Sequence, residues 1–80
     1  MASEFIGERR AFGRAVREVR EERGLSQMAL GELAGLHFNY IGGIERAERN
    51  PTFTTLVKLA SALGMRPSEL IARSETPQDE

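Results

Sequence analysis

Hydrophobic residues recur along this chain with the period of a helix. Between about residue 6 and residue 23, Phe12, Val16 and Val19 fall on one face, while glutamates and arginines share the other. Apolar residues recur at intervals of three and four in the later stretches too, and no stretch shows the strict alternation of a half-buried strand. The pattern therefore predicts an all-α fold of five short helices.

Capping residues, glycines and a proline indicate where these helices begin and end. Ser26 and Thr52 precede apolar stretches and suit an N-cap, and Pro67 suits a first turn. Gly24 and Gly64 follow such stretches, where a left-handed residue commonly ends a helix. The predicted helices span about residues 6–23, 26–35, 38–46, 52–64 and 66–73.

The chain length and the extent of the helical pattern predict the domain boundaries. Eighty residues correspond to one small domain. Residues 1–5 carry no pattern and are expected to be a disordered start or a remnant of cloning. Residues 6–73 are expected to form the domain, and residues 74–80 a flexible acidic tail.

Composition excludes several classes of site. The chain has no cysteine and one histidine, which excludes disulfides and thiolate metal sites and argues against zinc or haem. No apolar run reaches membrane-spanning length, and the start lacks the shape of a signal peptide. We therefore expect a cytoplasmic protein with no cofactor, no metal and no membrane partner.

Chemistry-bearing groupings of side chains are missing as well. The sequence contains no Ser/His/Asp or Cys/His set and no glycine-rich phosphate loop, so we expect no enzyme. Eighty residues leave no room for a separate ligand-sensing domain, so no small-molecule ligand is expected.

The net charge of −1 argues mildly against a nucleic-acid partner, but the charge is unevenly distributed. Residues 74–80 hold three acids and no base, so residues 1–73 carry 11 basic and 9 acidic side chains, a net charge of +2. Binding to phosphates requires local positive charge rather than a basic total.

The stretch from Gln27 to Arg46 meets the requirements of a helix-turn-helix. Gly31 is the small residue needed where the second helix crosses the first, and Gly35 tolerates the positive φ of the turn. Leu33 is predicted to share the apolar face of the first helix. The apolar residues expected to fix both helices to the core are Leu30, Ala34, Leu36, Ile41 and Ile44.

Five motifs make the resemblance to a family specific. From Phe12 to Leu70 the chain resembles the Cro/C1-type helix-turn-helix domains of the Xre family. Within that family, A-G-L-H, N-Y-I-G-G-I-E-R and the following E-R-N are most similar to restriction–modification controller proteins, although stand-alone repressors and antitoxins share much of this pattern. The five motifs are R-E-E-R-G-L-S-Q (20–27), L-A-G-L (33–36), Y-I-G-G-I-E-R (40–46), E-R-N-P-T (48–52) and L-V-K-L-A-S-A-L-G-M (56–65).

This resemblance implies a compact, five-helix, lambda-repressor-like domain and a transcriptional regulator. Such a regulator binds double-stranded DNA as a homodimer on an inverted-repeat operator, with the second helix of the motif in the major groove. Asn39 would read adenine, and Arg46 would read guanine or hold a phosphate. The DNA-binding residues implied by the family are Gln27, His37, Phe38, Asn39, Tyr40, Gly42, Gly43, Arg46, Arg49 and Asn50.

Several of these positions also have purely structural interpretations. Gln27 follows a plain helix cap, and His37 is itself a candidate cap. Tyr40 suits half-buried packing. Gly42 and Gly43 either let the helix sit deeper in a groove or relieve crowding where helices pack, and Arg49-Asn50 suits a solvated turn.

Three residues depart from the family pattern. Phe38 stands where relatives usually have a polar residue, and Met28 where an acidic residue is common. Ala47 stands where the family often has glycine to end the helix in the left-handed conformation, which costs alanine roughly 1 kcal/mol. Whether these residues are natural or engineered, they affect the base sequence that is read more than the fold. An apolar Met28–Phe38 surface also suits a protein-interaction module such as an antitoxin.

The resemblance further implies one ion pair and one subunit interface. Glu45 is expected to pair with Arg20 and to serve structure rather than catalysis. The homodimer surface is predicted at Met65, Leu70 and Ile71; the alternative is that these residues close the monomer core.

Overall fold

The computed structural model describes residues 5–76, which fold into five α-helices. Neither a strand nor a bridge occurs in this part of the chain. The five-helix, all-α prediction is confirmed. The helices are α1 (Ile6–Glu22), α2 (Gln27–Ala34), α3 (Phe38–Glu45), α4 (Phe53–Ala62) and α5 (Pro67–Glu75).

All five helices contribute to a single core. The apolar face predicted for α1 is buried, with Val16 and Val19 fully inaccessible. Fully burying a side chain of this size contributes roughly 1.5–3 kcal/mol, so these side chains dominate the packing energy. The buried cluster consists of Phe12, Ala15, Val16, Val19, Leu30, Ile41, Ile44, Leu59, Ala60, Leu63 and Leu70.

Side-chain caps begin three of the helices. Ser26 Oγ accepts a hydrogen bond from the Ala29 N–H at 3.0 Å, and Thr52 Oγ1 accepts one from the Thr55 N–H at 3.1 Å. His37 Nδ1 caps α3 by accepting from the Asn39 N–H at 3.0 Å. Each cap satisfies a backbone donor that has no partner within the helix.

Three helices end in the same six-residue turn, with a left-handed residue just beyond the last helical one. Gly24 (φ 71°), Gly64 (φ 74°) and Ala47 (φ 62°) occupy that position after α1, α4 and α3. After α3, the Glu48 N–H donates to the Gly43 carbonyl at 2.8 Å and the Ala47 N–H to the Ile44 carbonyl at 3.0 Å. This is the Schellman pattern, and Ala47 adopts it without the freedom of glycine.

Helix α5 packs along α1 and runs slightly further than predicted. Arg73 pairs with Glu22, and its Nη2 lies 4.0 Å from Glu18 Oε1. The helix continues through Ser74 and Glu75, so the predicted tail does not begin at residue 74. Phe5, assigned to the unpatterned start, is the residue that precedes α1. The rest of both predicted ends, residues 1–4 and 77–80, lies outside the described residues.

The predicted dimer surface needs correction at Leu70. Leu70 is completely buried and belongs to the monomer core, so it has no surface to offer a second copy. Met65 is half-buried and packs against the same cluster. Ile71 is 37% exposed and remains available. The alternative interpretation, closure of the monomer core, therefore holds for Leu70.

Candidate nucleic-acid interface

Helices α2 and α3 form a helix-turn-helix whose close approach depends on Gly31. A Cβ at Gly31 would lie 2.4 Å from the Leu36 carbonyl oxygen and 3.4 Å from the Phe38 nitrogen. Gly35 adopts φ 71° and turns the chain between the two helices. Both glycines therefore occupy the positions that the motif requires.

One side of α3 is buried and the other faces outward. Ile41 and Ile44 point into the core. His37, Phe38 and Asn39, at the start of the helix, are exposed, as are the three other predicted contact residues that follow it, Arg46, Arg49 and Asn50. The structure thus brings the start of α3 and the residues beyond its end to the surface, where a duplex can reach them.

His37 combines a capping role with an aromatic contact. Its Nδ1 accepts from the Asn39 N–H, so the proton of the neutral ring belongs on Nε2, which can donate outward. The His37 and Phe38 rings stack, with centroids 4.8 Å apart and planes inclined by 22°. The structure supports the cap interpretation of His37 and leaves its second nitrogen for a phosphate.

Tyr40 is held by the packing of its ring and by a hydrogen bond of its hydroxyl. The half-buried ring packs against the core cluster. The hydroxyl lies 3.3 Å from Thr55 Oγ1, and Thr55 is in turn bonded to the capping residue Thr52 at 3.1 Å. The structural interpretation of Tyr40 is therefore the better supported, since its hydroxyl fixes α3 to the start of α4.

Glu45 lies at the centre of a network that connects three helices. Its two carboxylate oxygens accept from Arg20 Nε at 2.7 Å and Arg20 Nη2 at 3.0 Å. Gln27 Nε2 donates to the same carboxylate at 3.1 Å. The structure thus brings together the predicted pair, and adds Gln27, which the sequence singled out only for phosphate binding.

Gly42 and Gly43 are buried beneath side chains of their own chain. A Cβ at Gly42 would lie 2.9 Å from Arg46 Nη1 and 3.2 Å from Gln27 Oε1. A Cβ at Gly43 would lie 2.6 Å from Arg49 Cγ. They do not present bare backbone to a groove, as the first interpretation had it. Crowding is present at both positions, but it comes from the side chains of Arg46, Gln27 and Arg49 and not from the backbone of a packed helix.

The two arginines that cover these glycines are themselves accessible. Arg46 Nη2 lies 3.2 Å from Glu48 Oε1, and both side chains are about 60% exposed. An exposed pair of this kind contributes little and exchanges readily for another anion. Arg46 and Arg49 therefore form a small basic surface beside α3.

Apolar side chains also reach the surface of the motif. Met28 is 56% exposed and Phe38 40%. Leu33, predicted to face the core, is 62% exposed, because α2 is only eight residues long and buries Leu30, Gly31 and Ala34 instead.

Gly13 has a packing role that the sequence motifs did not predict. A Cβ there would lie 2.4 Å from the Ile44 carbonyl oxygen and 2.8 Å from that of Glu45. Gly13 thus lets α1 contact the backbone at the end of α3. A glycine inside an amphipathic helix was the only sequence signal, and it does not name the partner.

Residues 5–76 contain neither a membrane-spanning helix nor a metal-binding cluster. No helix there is long and apolar enough to cross a membrane. No group of three or more His, Cys, Asp or Glu side chains in this part of the chain could hold a metal ion.

The fold and this motif define a helix-turn-helix protein, and comparison with known families agrees. A family model described as helix-turn-helix matches residues 16–70, more than half of the chain. The chain belongs to this family, in its Cro/C1-type branch.

The similar proteins include several restriction–modification controllers. Control protein C.SmaI from Serratia marcescens is 42% identical over 69 residues, covering 86% of this chain and 82% of that protein. Control protein C.BamHI from Bacillus amyloliquefaciens is 38% identical over 61 residues, 75% of each chain. The crystal structure of the controller protein C.AhdI from Aeromonas hydrophila superposes with a TM-score of 0.76 at 45% identity, covering 78% of this chain and 94% of that one.

Proposed function

We propose that this protein is a sequence-specific DNA-binding transcriptional regulator of the restriction–modification controller type. The observation that carries the proposal is the outward side of α3, where Asn39 and Arg46 are exposed above a helix that α1 and α2 hold in place. The relatives named as control proteins support the controller assignment. As a regulator, it acts in the cytoplasm and catalyses no reaction.

Helix α3 enters the major groove, and α2 contacts the backbone beside it. Asn39 pairs with adenine and Arg46 with guanine or a phosphate. The first backbone N–H groups of α2 point out of its N-terminus at Gln27, where the helix dipole favours an anion. Arg49 and Asn50 reach phosphates flanking the groove.

A homodimer provides the two copies that an inverted repeat requires. Ile71 lines an apolar groove between α1, α4 and α5, which also includes the exposed rings of Phe5 and Phe53. Exposed apolar surface of this kind is typical of an interface. This groove replaces Leu70 as the centre of the proposed dimer surface.

Selection from a pool of randomised duplex DNA, followed by binding at several salt concentrations, tests the DNA function. A recovered inverted repeat with affinity that falls steeply as salt rises supports a dimeric regulator. Asn39→Ala should then lose discrimination at one base pair in each half-site. If the folded protein enriches no sequence, the proposal is wrong.

Sedimentation of surface variants tests the dimer. Phe53→Glu should shift the protein toward monomer, because a charge would be buried in the groove. Leu33→Glu is the matched control, since Leu33 is also an exposed apolar residue but lies on α2. Dissociation by Leu33→Glu alone would place the interface on α2 instead.

The exposed side chains of Met28, Leu33 and Phe38 favour a second candidate function, a protein-interaction module such as an antitoxin. DNA binding would then be weak while a protein partner binds α2 and the start of α3. Replacing Phe38 with Arg discriminates the two. The variant should gain DNA affinity if this face reads DNA, and lose the protein partner if it does not.

A further inference from the structure

The helical glycines of this chain differ in what surrounds them. A Cβ at Gly13 or Gly31 would meet backbone, which cannot move aside, whereas nothing lies within 4 Å of a Cβ at Gly7. At Gly42 a Cβ would meet the far ends of two flexible side chains, and at Gly43 it would meet Arg49 Cγ, which can move aside only if that side chain rotates. Packing of the fold therefore requires glycine at 13 and 31, but does not by itself require it at 42 and 43.

The side chains over Gly42 are those of two predicted DNA contacts. Arg46 lies one helical turn after Gly42, and its side chain folds back toward the start of the helix. Its Nη1 and the amide of Gln27 both pass within 3.5 Å of where the Cβ would stand. Gln27 comes from α2, so this one position brings donors from both helices of the motif together.

The side chain over Gly43 is a third such contact. The turn after α3 reverses the chain, and the Arg49 N–H donates to the Gly43 carbonyl at 3.2 Å. This hydrogen bond places Arg49 above Gly43, with its Cγ in the space that a Cβ would occupy. An alanine at 43 would force this side chain to leave the helix surface.

We propose that Gly42 and Gly43 are positioning residues that hold Gln27, Arg46 and Arg49 against the surface of α3 as a prearranged set of DNA-binding donors. The inference rests on the proposed function and adds residues that touch no DNA themselves. A side chain already held close to its bound position loses less conformational freedom on binding. This explains why so short a helix keeps two adjacent residues that weaken it.

Single alanine substitutions separate this role from stability. Gly42→Ala should leave the melting temperature unchanged or raise it, because alanine favours the helix. Gly43→Ala should change it little, because the rotation of Arg49 that it forces offsets part of that gain. Gly43→Ala, which releases one ordered side chain, should weaken binding to the duplex selected by the parent protein by roughly 2- to 12-fold. Gly42→Ala, which releases two, should weaken it by roughly 5- to 150-fold. Gly7→Ala is the matched control, because a Cβ there would stand in open space. It should leave the affinity unchanged and should not lower the melting temperature.

A double-mutant cycle identifies the route of the effect. In an Arg49→Ala background, Gly43→Ala should weaken binding no further, because the side chain that it displaces is gone. The same holds for Gly42→Ala in a combined Gln27→Ala and Arg46→Ala background. If a glycine substitution weakens binding as much in the mutant background as in the parent protein, the added methyl group acts by colliding with DNA, and the proposal is overturned. Unchanged affinity in the single variants would overturn it as well.

A readout without DNA keeps the inference separate from the function on which it rests. Nuclear Overhauser contacts between the Arg49 γ protons and the Gly43 α protons are expected in the free parent protein. Their absence overturns the positioning role even if the parent binds DNA. Their presence in a parent that selects no duplex overturns the DNA function and, with it, the proposed purpose of the arrangement.

Discussion

Arg20 of α1 and Glu45 of α3 form a two-point ion pair, with Nε–Oε2 and Nη2–Oε1 distances of 2.7 and 3.0 Å. The side chains are only 11% and 3% exposed. The hydrogen bond to Glu45 raises the pKa of Arg20 above its ordinary value. Arg20 Nη1 also donates to the Leu25 carbonyl at 2.8 Å, so one guanidinium joins the end of α3 to the turn before α2.

Replacing Glu45 with Ala should lower the free energy of unfolding by roughly 3–5 kcal/mol, because a buried guanidinium then loses its carboxylate. Gln27 loses a partner as well. Urea denaturation of parent and variant measures the change. Arg17→Ala is the control: its 3.1 Å pair with Glu21 is exposed and does not involve Arg20, and its loss should cost at most about 0.5 kcal/mol.

DNA binding by the Glu45→Ala variant tests whether the role of Glu45 is structural. Loss of DNA binding should follow from unfolding, and should be recovered at temperatures where the variant is folded. A Glu45→Ala protein with full stability and no DNA binding would contradict this role and would place Glu45 at the DNA itself.

Replacing Ala47 with Gly should stabilise the protein by roughly 0.5–1 kcal/mol. Ala47 adopts φ 62°, which costs an L-residue about 1–2 kcal/mol. Glycine removes that cost but adds freedom to the unfolded chain worth about 0.4–1 kcal/mol, so part of the gain is lost. Thermal unfolding measures the difference. Ala72→Gly, in the exposed interior of α5, should have the opposite sign.

Replacing Gly13 with Ala should destabilise the protein by roughly 1–3 kcal/mol or more, despite the better helix propensity of alanine. Its Cβ would stand 2.4 Å from the Ile44 carbonyl oxygen, which is fixed by the end of α3. Gly7→Ala, in the same helix, serves as the comparison. If the two variants unfold at the same urea concentration, α1 and α3 do not approach each other as closely as described.

Local chemistry explains how much of the fold could be predicted. The helices and most of their ends follow from caps, glycines and apolar spacing, all of which act within a few residues. The left-handed Ala47 was expected from its place after the motif, and Ser26 and Thr52 cap as predicted. The end of α5 was predicted at residue 73 and lies at Glu75. No glycine or proline follows residue 73 until Pro77, so no local signal ends the helix there.

The site could be predicted only in part, because covering side chains come from distant positions. The resemblance implied that Asn39 and Arg46 face outward, but it could not show that Arg49 crosses Gly43. Periodicity likewise put Leu33 inside, where it is exposed, and the resemblance put Leu70 at an interface, where it is buried. Which part of a helix's apolar face is buried depends on where another helix crosses it. The periodicity of one helix carries no information about that crossing.

The Glu22–Arg73 pair between α1 and α5 should make stability depend on acidic pH. Its hydrogen bond to Arg73 holds the pKa of Glu22 below the ordinary value of 4.5. A carboxylate with a lowered folded-state pKa adds stability above its unfolded-state value, and this stability is lost as the pH falls through the folded-state value. Glu22→Gln should therefore melt at a lower temperature than the parent at pH 7, and the difference should vanish once the pH is below the folded-state pKa of Glu22.

The pair is exposed, so the effect at pH 7 should be small and should shrink in 1 M salt. Arg73 also lies 4.0 Å from Glu18 Oε1, which can replace part of the lost interaction. Arg73→Gln removes both contacts and should lower the melting temperature at least as far as Glu22→Gln. A Glu22→Gln difference that stays the same from pH 7 into strong acid would show that Glu22 contributes through packing and not through its charge.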